Sequence, residues 1–346
     1  MYVGAYVRRH VGLGPGGNPG TIYKIQGSSP PTILATLSAG SNPHTLGTAG
    51  GPGLDANASW WYDKDAYDAV GKVGLGDLEL SDDGQTLYAV NLAARTVDMV
   101  NVGVSGATGS IQLAPETNCP ASVGVLRPFG LGAVAGKLYI GATCTAENTV
   151  DANSWGDPEM LRGYVFEVAQ GSTTPNKILD FKFSSLADRP INGASYGWKP
   201  WSSRFTPTDS QPATNTADPE NSGFFWPTPM VADIEISGNT MYLGIRDRHG
   251  DQMSRGAGGL TVEAGAPSYE GIPAGDVLSA TRSNGSGPWD SPTSSGSINS
   301  FGGLAIVDGA LTQTVDTSLN GPQRRAGGGI SGGISADIFA ATGTLS

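Results

Sequence analysis

Apolar residues along this chain come in short alternating or β-branched runs separated by Gly, Pro, Asn and Asp, and no stretch carries the i, i+3, i+4, i+7 spacing of a long helix. Thr21–Ile25, Thr86–Val90, Thr96–Val102, Lys137–Ile140, Gly163–Val168 and Thr240–Ile245 each have the length of a strand. The pattern predicts an all-β fold, and a repeat chooses among sandwich, barrel and propeller. Gly76–Ser81 (Gly-Asp-Leu-Glu-Leu-Ser) followed by Thr86–Val90 recurs as Ala232–Ser237 (Ala-Asp-Ile-Glu-Ile-Ser) followed by Thr240–Gly244. A weaker copy is Arg127–Gly132 with Gly136–Gly141, and a fourth is Phe301–Ile306 with Gly309. Each unit reads strand, tight polar turn, strand, which fits the inner two strands of a four-stranded propeller blade. Asp83-Gly84 and Gly238-Asn239 supply the positive φ that such turns need.

Asp77 to Pro128 spans one blade, whereas Pro128 to Asp233 is about twice as long, so that interval holds a second blade or a long insertion. Residues 184–229, rich in Ser, Pro, Thr, Asn and Trp, favour the insertion, and residues 251–297 read as a second loop-rich excursion. With further blade starts at Pro43–Leu46 and Gly332–Ile334, the expectation is a single β-propeller domain over 1–346 with six blades, seven being the alternative. The chain opens on a strand, Met1–Tyr6, and this predicts that the first strand closes the ring by pairing with the last blade.

Composition narrows the function classes. Lys+Arg 20 against Asp+Glu 31 gives a net charge of −11, a field that repels the phosphate backbone, so nucleic acid is not an expected partner. No apolar run reaches the length of a membrane span. The N-terminal stretch has no apolar segment of the secretory type, yet low charge, few Lys, and abundant Gly, Ser, Thr and Asn point to an extracellular or cell-surface β-protein.

Four segments together carry a resemblance: Arg8–Gly17 with Ile22–Ile25, Val70–Gly84, Arg127–Leu131, and Gly244–Gln252. The combination resembles the propeller-like region of large bacterial secreted and cell-surface proteins, a region often followed there by B-like domains of the serine-aspartate-repeat type. It covers roughly residues 2–335, and Ser335–Phe339 departs from the usual continuation. The resemblance implies an extracellular, non-enzymatic structural or adhesive module of a larger protein. Its expected partner is a protein or glycan at the cell surface, or further copies of itself.

Candidate chemistry falls in four places. Cys119 and Cys144 flank the Arg127 hairpin and converge at one end of it, which reads as a disulfide closing a loop worth about 3.5 kcal/mol; free buried thiols or a metal role are the alternatives. Asp77, Glu79, Asp233 and Glu235 sit at equivalent places in two inner strands. If they face the channel, their hard oxygen donors suit Ca²⁺, with Asn91 or a water completing the shell. Otherwise the Asp residues cap turns while the Glu residues pair with Arg127 or Arg246. Arg246, Asp247, Arg248, His249, Asp251 and Gln252 crowd a loop after a strand. With Arg8, Arg9 and His10 nearby they form either a polar ligand clamp or an ion-pair network buttressing the sheets. Trp60, Trp61, Trp198, Trp201 and Phe224–Trp226 either stack on a partner or pin long loops to the sheet edges. The competing reading to the adhesive module is a Ca²⁺-dependent hydrolase or lactonase of the six-bladed kind, with Glu79, Asp233 and Glu235 at its metal.

Overall fold

The structure is a computed structural model. It describes residues 1–9, 12–44, 63–104, 106–151, 154–187, 189–191, 194–203, 217–218, 223–224, 226–252, 270–271, 275–283, 285, 287–294, 304–307 and 310–313. Strands β1 (Tyr2–Gly4), β2 (Thr21–Lys24) and β3 (Thr32–Thr36) make a three-stranded sheet, and a short helix α1 (Lys64–Ala69) follows. A four-stranded meander comes next, β4 (Leu75–Leu80), β5 (Thr86–Asn91), β6 (Thr96–Asn101) and β7 (Ala107–Gln112). A second contains β8 (Leu126–Val134), β9 (Lys137–Cys144), β10 (Arg162–Ala169) and β11 (Asn176–Lys182). Among the described residues, the long interval carries small pieces: β12 (Arg189–Ile191) with β13 (Ala194–Tyr196), then β14 (Ala217–Asp218) and β15 (Gly223–Phe224). β16 (Pro229–Ser237) and β17 (Thr240–Asp247) open the third meander. After helix α2 (His249–Gln252) and β18 (Glu270–Gly271), it is completed by β19 (Asp276–Thr281) and β20 (Thr293–Ser294). β21 (Leu304–Val307) and β22 (Ala310–Gln313) form a final hairpin.

The first strands of these sheets lie side by side in the order β1, β4, β8, β16, β21. Successive antiparallel sheets joined through their inner strands are the blades of a β-propeller. β16 packs directly on β8, so residues 184–229 insert no blade between them. Likewise Leu75 N donates to Ala5 O, which sets β1 beside β4 as the first inner strand; Pro43 and His44 are not in a strand, and the rest of the expected blade start at 43–46 lies outside the described residues. Five inner strands are present among the described residues. The proposed blade start at 332–334, and with it the closure of the ring on β1, lies outside them.

The repeat read from sequence is a repeat of register. Glu79 faces Tyr88, Gly132 faces Tyr139 and Glu235 faces Tyr242 across the three inner hairpins. β4, β8 and β16 also carry a pairing irregularity at the same level: Leu75/Leu78, Pro128/Leu131, Val231/Asp233. The turns use positive-φ Gly84, Gly136 and Gly238, as the hairpin geometry demands.

Alternation along each strand splits the core between the two neighbouring blades. In β9, Leu138 and Ile140 meet Val90, Val97 and Ile111 of the preceding blade, while Tyr139 between them joins Ile234, Leu243 and Leu278 of the next. Ile22, Ala35 and Leu37 meet Leu75, Leu87 and Val100 between the first two blades. Each such buried aliphatic side chain contributes about 1.5–3 kcal/mol, so truncating Leu131, fully buried at the inner edge, would loosen two blades at once. Gly130 and Gly132 let β8 approach β16 closely, since a Cβ at either would collide with the backbone at Asp233 or Ile234.

One boundary needs correcting. Residues 251–297 are not wholly a loop excursion, because β19 and β20 supply the outer half of the third meander. Val277, Leu278 and Ala280 are buried there, but the strand carries too few apolar residues between Gly- and Ser-rich flanks to announce itself.

Candidate functional site

The charged loop after β17 is held by its own chain. Asp251 is buried and receives Arg246 through Nε at 2.7 Å and Nη2 at 2.5 Å, Tyr6 Oη at 2.9 Å, and an ion pair with Arg8 Nε at 3.0 Å. Arg9 donates its backbone N–H to Asp251 O and its Nη1 to Gln252 O, both at 3.1 Å. Asp247 Oδ1 accepts from Thr228 N and His249 N, and Gln252 Nε2 donates to Tyr67 O. His249 is buried. Burial alone would raise the Asp251 carboxyl, but Arg246 and Arg8 outweigh it and hold the group below the usual carboxylate range. The Tyr6 hydroxyl is pushed well above its ordinary value, first by burial and then by the Asp251 charge. Asp251 thus joins the N-terminal segment to the end of the third meander. His10 lies outside the described residues.

Arg248 extends the network. Its side chain is wholly buried and its guanidinium lies 4.6 Å from the centre of the Trp201 ring. It donates to Val70 O at 2.8 Å, Asp68 O at 3.0 Å and Ser202 O at 3.2 Å, covering the turn after α1 and the inserted segment together. Arg127 is 5.8 Å from the Trp201 ring and pairs with Glu147 at 3.3 Å; Lys72 bridges Glu147 and Asp68. Trp201 Nε1 donates to Pro229 O, which fastens the inserted segment to the root of β16. Glu147 and Asp68 would both rise through burial, yet neighbouring cations carry them below the ordinary range.

The four inner-strand carboxylates behave differently. Asp77 is buried and its two oxygens accept from Leu78 N and Leu131 N, both at 2.8 Å, so it links the first two meanders. Asp233 is buried at the bulge of β16. Glu79 and Glu235 are partly buried at register-equivalent positions. Burial, followed by repulsion from Asp77, Glu235 and Asp82, pushes Glu79 up to about 8; burial pushes Glu235 up to about 7. Arg127 and Arg246, the partners considered for them, are engaged by Glu147 and Asp251. Asn91 is also engaged elsewhere: Nδ2 donates to Ser38 O and Asp98 Oδ2, and Oδ1 accepts from Ala94 N. Among the described residues, no group of three or more His, Cys, Asp or Glu is arranged to hold a metal ion.

Cys119 and Cys144 form a disulfide, with Cα atoms 5.7 Å apart. Of the aromatic clusters, Trp198 packs on Phe183, Trp226 packs on Trp155, and Trp201 is in the core; all three are buried. These rings pin the long insertion rather than present a face to solvent. Trp60 and Trp61 lie outside the described residues. A cavity of about 360 Å³ opens beside the first blade at the inner strands, with Tyr6, Tyr23 and Phe129 in its walls.

Sequence reasoning missed Tyr6, Asp68, Lys72 and Glu147 as members of these networks, and the 2.7 Å pair between His44 Nδ1 and Asp63 Oδ2. Arg248 and Val70 are 178 residues apart in sequence, and no local spacing signals such a contact. Density of charge in one short loop was the available clue; it held both partners of the Arg246–Asp251 pair but not the Tyr6, Val70 or Asp68 side of the longer contacts.

No family model matches the chain. It is 26% identical over 259 residues to Colossin-D of Dictyostelium discoideum, covering 72% of this chain and 24% of the relative; it thus spans about a quarter of that protein's length. Among solved structures, a candidate 6-phosphogluconolactonase of Bacteroides uniformis aligns at 11% identity and a TM-score of 0.32, over 90% of this chain and 80% of that one. A second from Bacteroides fragilis aligns at 10% and 0.32, over 90% and 79%. A GH43 protein of Bacillus licheniformis aligns at 13% and 0.26, over 72% and 44%. The chain itself has an all-β propeller architecture, with a disulfide that ties the connection after β7 to the end of β9 and no helix among the described residues long and apolar enough to cross a membrane.

Proposed function

We propose that this chain is a non-enzymatic propeller module of a larger extracellular or cell-surface protein, serving adhesion or architecture through a protein or glycan partner. One observation carries the reading. In the loop richest in chemistry, Asp247, Arg248, Asp251 and Gln252 are engaged by other parts of the same chain, and Arg246 by Asp251 within the loop and by the Tyr6 ring beyond it. A catalytic clamp keeps such groups aimed at a substrate, whereas here they join the N-terminal segment, α1, the insertion and β17. The disulfide supports an oxidising compartment. The match over a quarter of a much longer relative supports a part within a larger whole, as does the resemblance to modules of large bacterial surface proteins.

The Ca²⁺-dependent hydrolase is the second reading, favoured by the raised carboxyls of Glu79 and Glu235, which burial lifts first and which repulsion from Asp77 and Glu235 lifts further at Glu79. The residues present fit it poorly, because both Asp77 oxygens already accept backbone N–H groups and no three-residue metal group occurs among the described residues. A panel of lactones and esters, assayed with the purified chain in Ca²⁺ and in EDTA, separates the two readings. The module reading expects no turnover above buffer, with saturable binding on a glycan array or to an isolated surface protein. Ca²⁺-dependent turnover abolished by Glu79→Gln would overturn it.

A further inference from the structure

The cavity beside the first blade borders the Asp251 network, whose Tyr6, Arg8 and Arg246 contribute to its walls, but most of its surface is apolar. Its volume is about 360 Å³ and its walls come from three aromatic residues, Tyr6, Tyr23 and Phe129, with Val3, Leu13 and Ile25. Tyr6 and Phe129 meet edge to face at 5.6 Å and 86°, so one wall is a fixed aromatic corner. Polar groups reach the cavity, but each is already occupied. Tyr23 Oη donates to Pro15 O at 2.6 Å, Tyr6 Oη donates to Asp251, Asp77 holds two backbone N–H groups, and Arg8 and Arg246 pair with Asp251. A sugar or a charged ligand would surrender much of its hydration against a wall that is mainly apolar.

We infer that this cavity is a binding site for an uncharged aromatic ring, supplied either by a side chain of a protein partner or by a free small molecule. Size agrees with that assignment: an apolar cavity of about 150 Å³ takes benzene, and small-molecule sites begin near 300 Å³, so a bicyclic ring fits. Its chemistry agrees too, since an entering ring meets aromatic edges and aliphatic side chains over most of the wall. The inference stands apart from the module reading, because such a site suits a binding module and an enzyme equally.

The test is a titration of the full chain, carrying ¹³C-labelled Val, Leu and Ile methyls, with indole and separately with acetyl-Gly-Trp-Gly-amide. Glucose and benzoate serve as controls. Saturable shifts are expected at Val3, Leu13 and Ile25, with the core methyls of Leu87 and Ile140 unmoved. Leu13→Trp, which places a ring in the cavity from an exposed loop, should weaken the probe at least tenfold. Unchanged Leu87 and Ile140 signals report that the variant is folded, and Pro31→Trp provides a second obstruction. Tighter binding of the peptide assigns the site to a protein side chain, and tighter binding of indole to a free aromatic compound. Absence of saturable shifts with both probes, equal affinity in both variants, or equal binding of glucose or benzoate would overturn the inference.

Discussion

The same hairpin builds both ends of the β16–β17 unit, yet the two ends treat charge in opposite ways. At the Pro229–Asp247 end, Asp251 sits among Arg246, Arg8 and Tyr6, and its carboxyl is held low. Near the Ser237–Thr240 turn, Glu235 and its counterpart Glu79 are raised to about 7 and about 8. Backbone geometry does not cause the difference. The root of the hairpin receives long connections from distant parts of the chain, which bring compensating groups, whereas the tight turns at the other end bring little beyond Gly and more acid. Buried charge is compensated where loops converge, and where they do not it is disfavoured by burial first and, at Glu79, by neighbouring acids second.

The comparison can be broken most forcefully at Asp251. Asp251→Ala leaves Arg246 buried without its bidentate partner and should cost about 3–5 kcal/mol, read as a lowered urea midpoint. Replacing both cysteines by Ser should cost about 3 kcal/mol, and reducing agent should bring the unmodified protein to the same melting temperature. Arg248→Met keeps much of the stem over Trp201 but strands the carbonyls of Val70, Asp68 and Ser202. A loss of about 2–3 kcal/mol in thermal unfolding is the expected result.

The smallest effect has the opposite sign. Glu79 and Glu235 titrate higher in the folded chain than in the unfolded one, so the folded state binds more protons between about pH 4.5 and pH 8. Their effect is to make stability fall as pH rises through that window. Asp251, with a lowered value, contributes stability at neutral pH that is lost only as pH falls through the acid range. Glu79→Gln should therefore raise the melting temperature at pH 9, by about 1–2 kcal/mol in stability, and change nothing at pH 5. Equal effects of that substitution at both pH values would remove the distinction between the two ends.

How much was legible follows from the same physics. Hairpins declare themselves locally, through alternation and a Gly in the turn, and Asp83-Gly84 and Gly238-Asn239 fall where the register places them. The cysteines were legible because one hairpin brings their ends together. The neighbourhood of Arg8, Arg9 and the Arg246–Gln252 loop was anticipated, but its pairing was not: which cation meets Asp251 depends on side-chain packing between segments far apart in sequence. Strand β19 escaped notice because pairing with β17 and packing of Leu278 and Ala280 against the preceding blade hold it, and tertiary contact stands in for the intrinsic preference its sequence lacks. Glu79 and Glu235 were recognised as equivalent, while the Glu position of the intervening blade is Gly132, where β16 leaves no room for a side chain.

The central claim is that the charged loop serves architecture, and a double-mutant cycle on Arg246 and Asp251, followed by urea unfolding, tests it most directly. The account predicts that Arg246→Met and Asp251→Leu each lose about 3 kcal/mol or more, while the double variant, burying two apolar side chains in place of the pair, recovers most of that loss. Single variants within about 0.5 kcal/mol of the unmodified protein would contradict it, and would return these groups to the role of a ligand clamp.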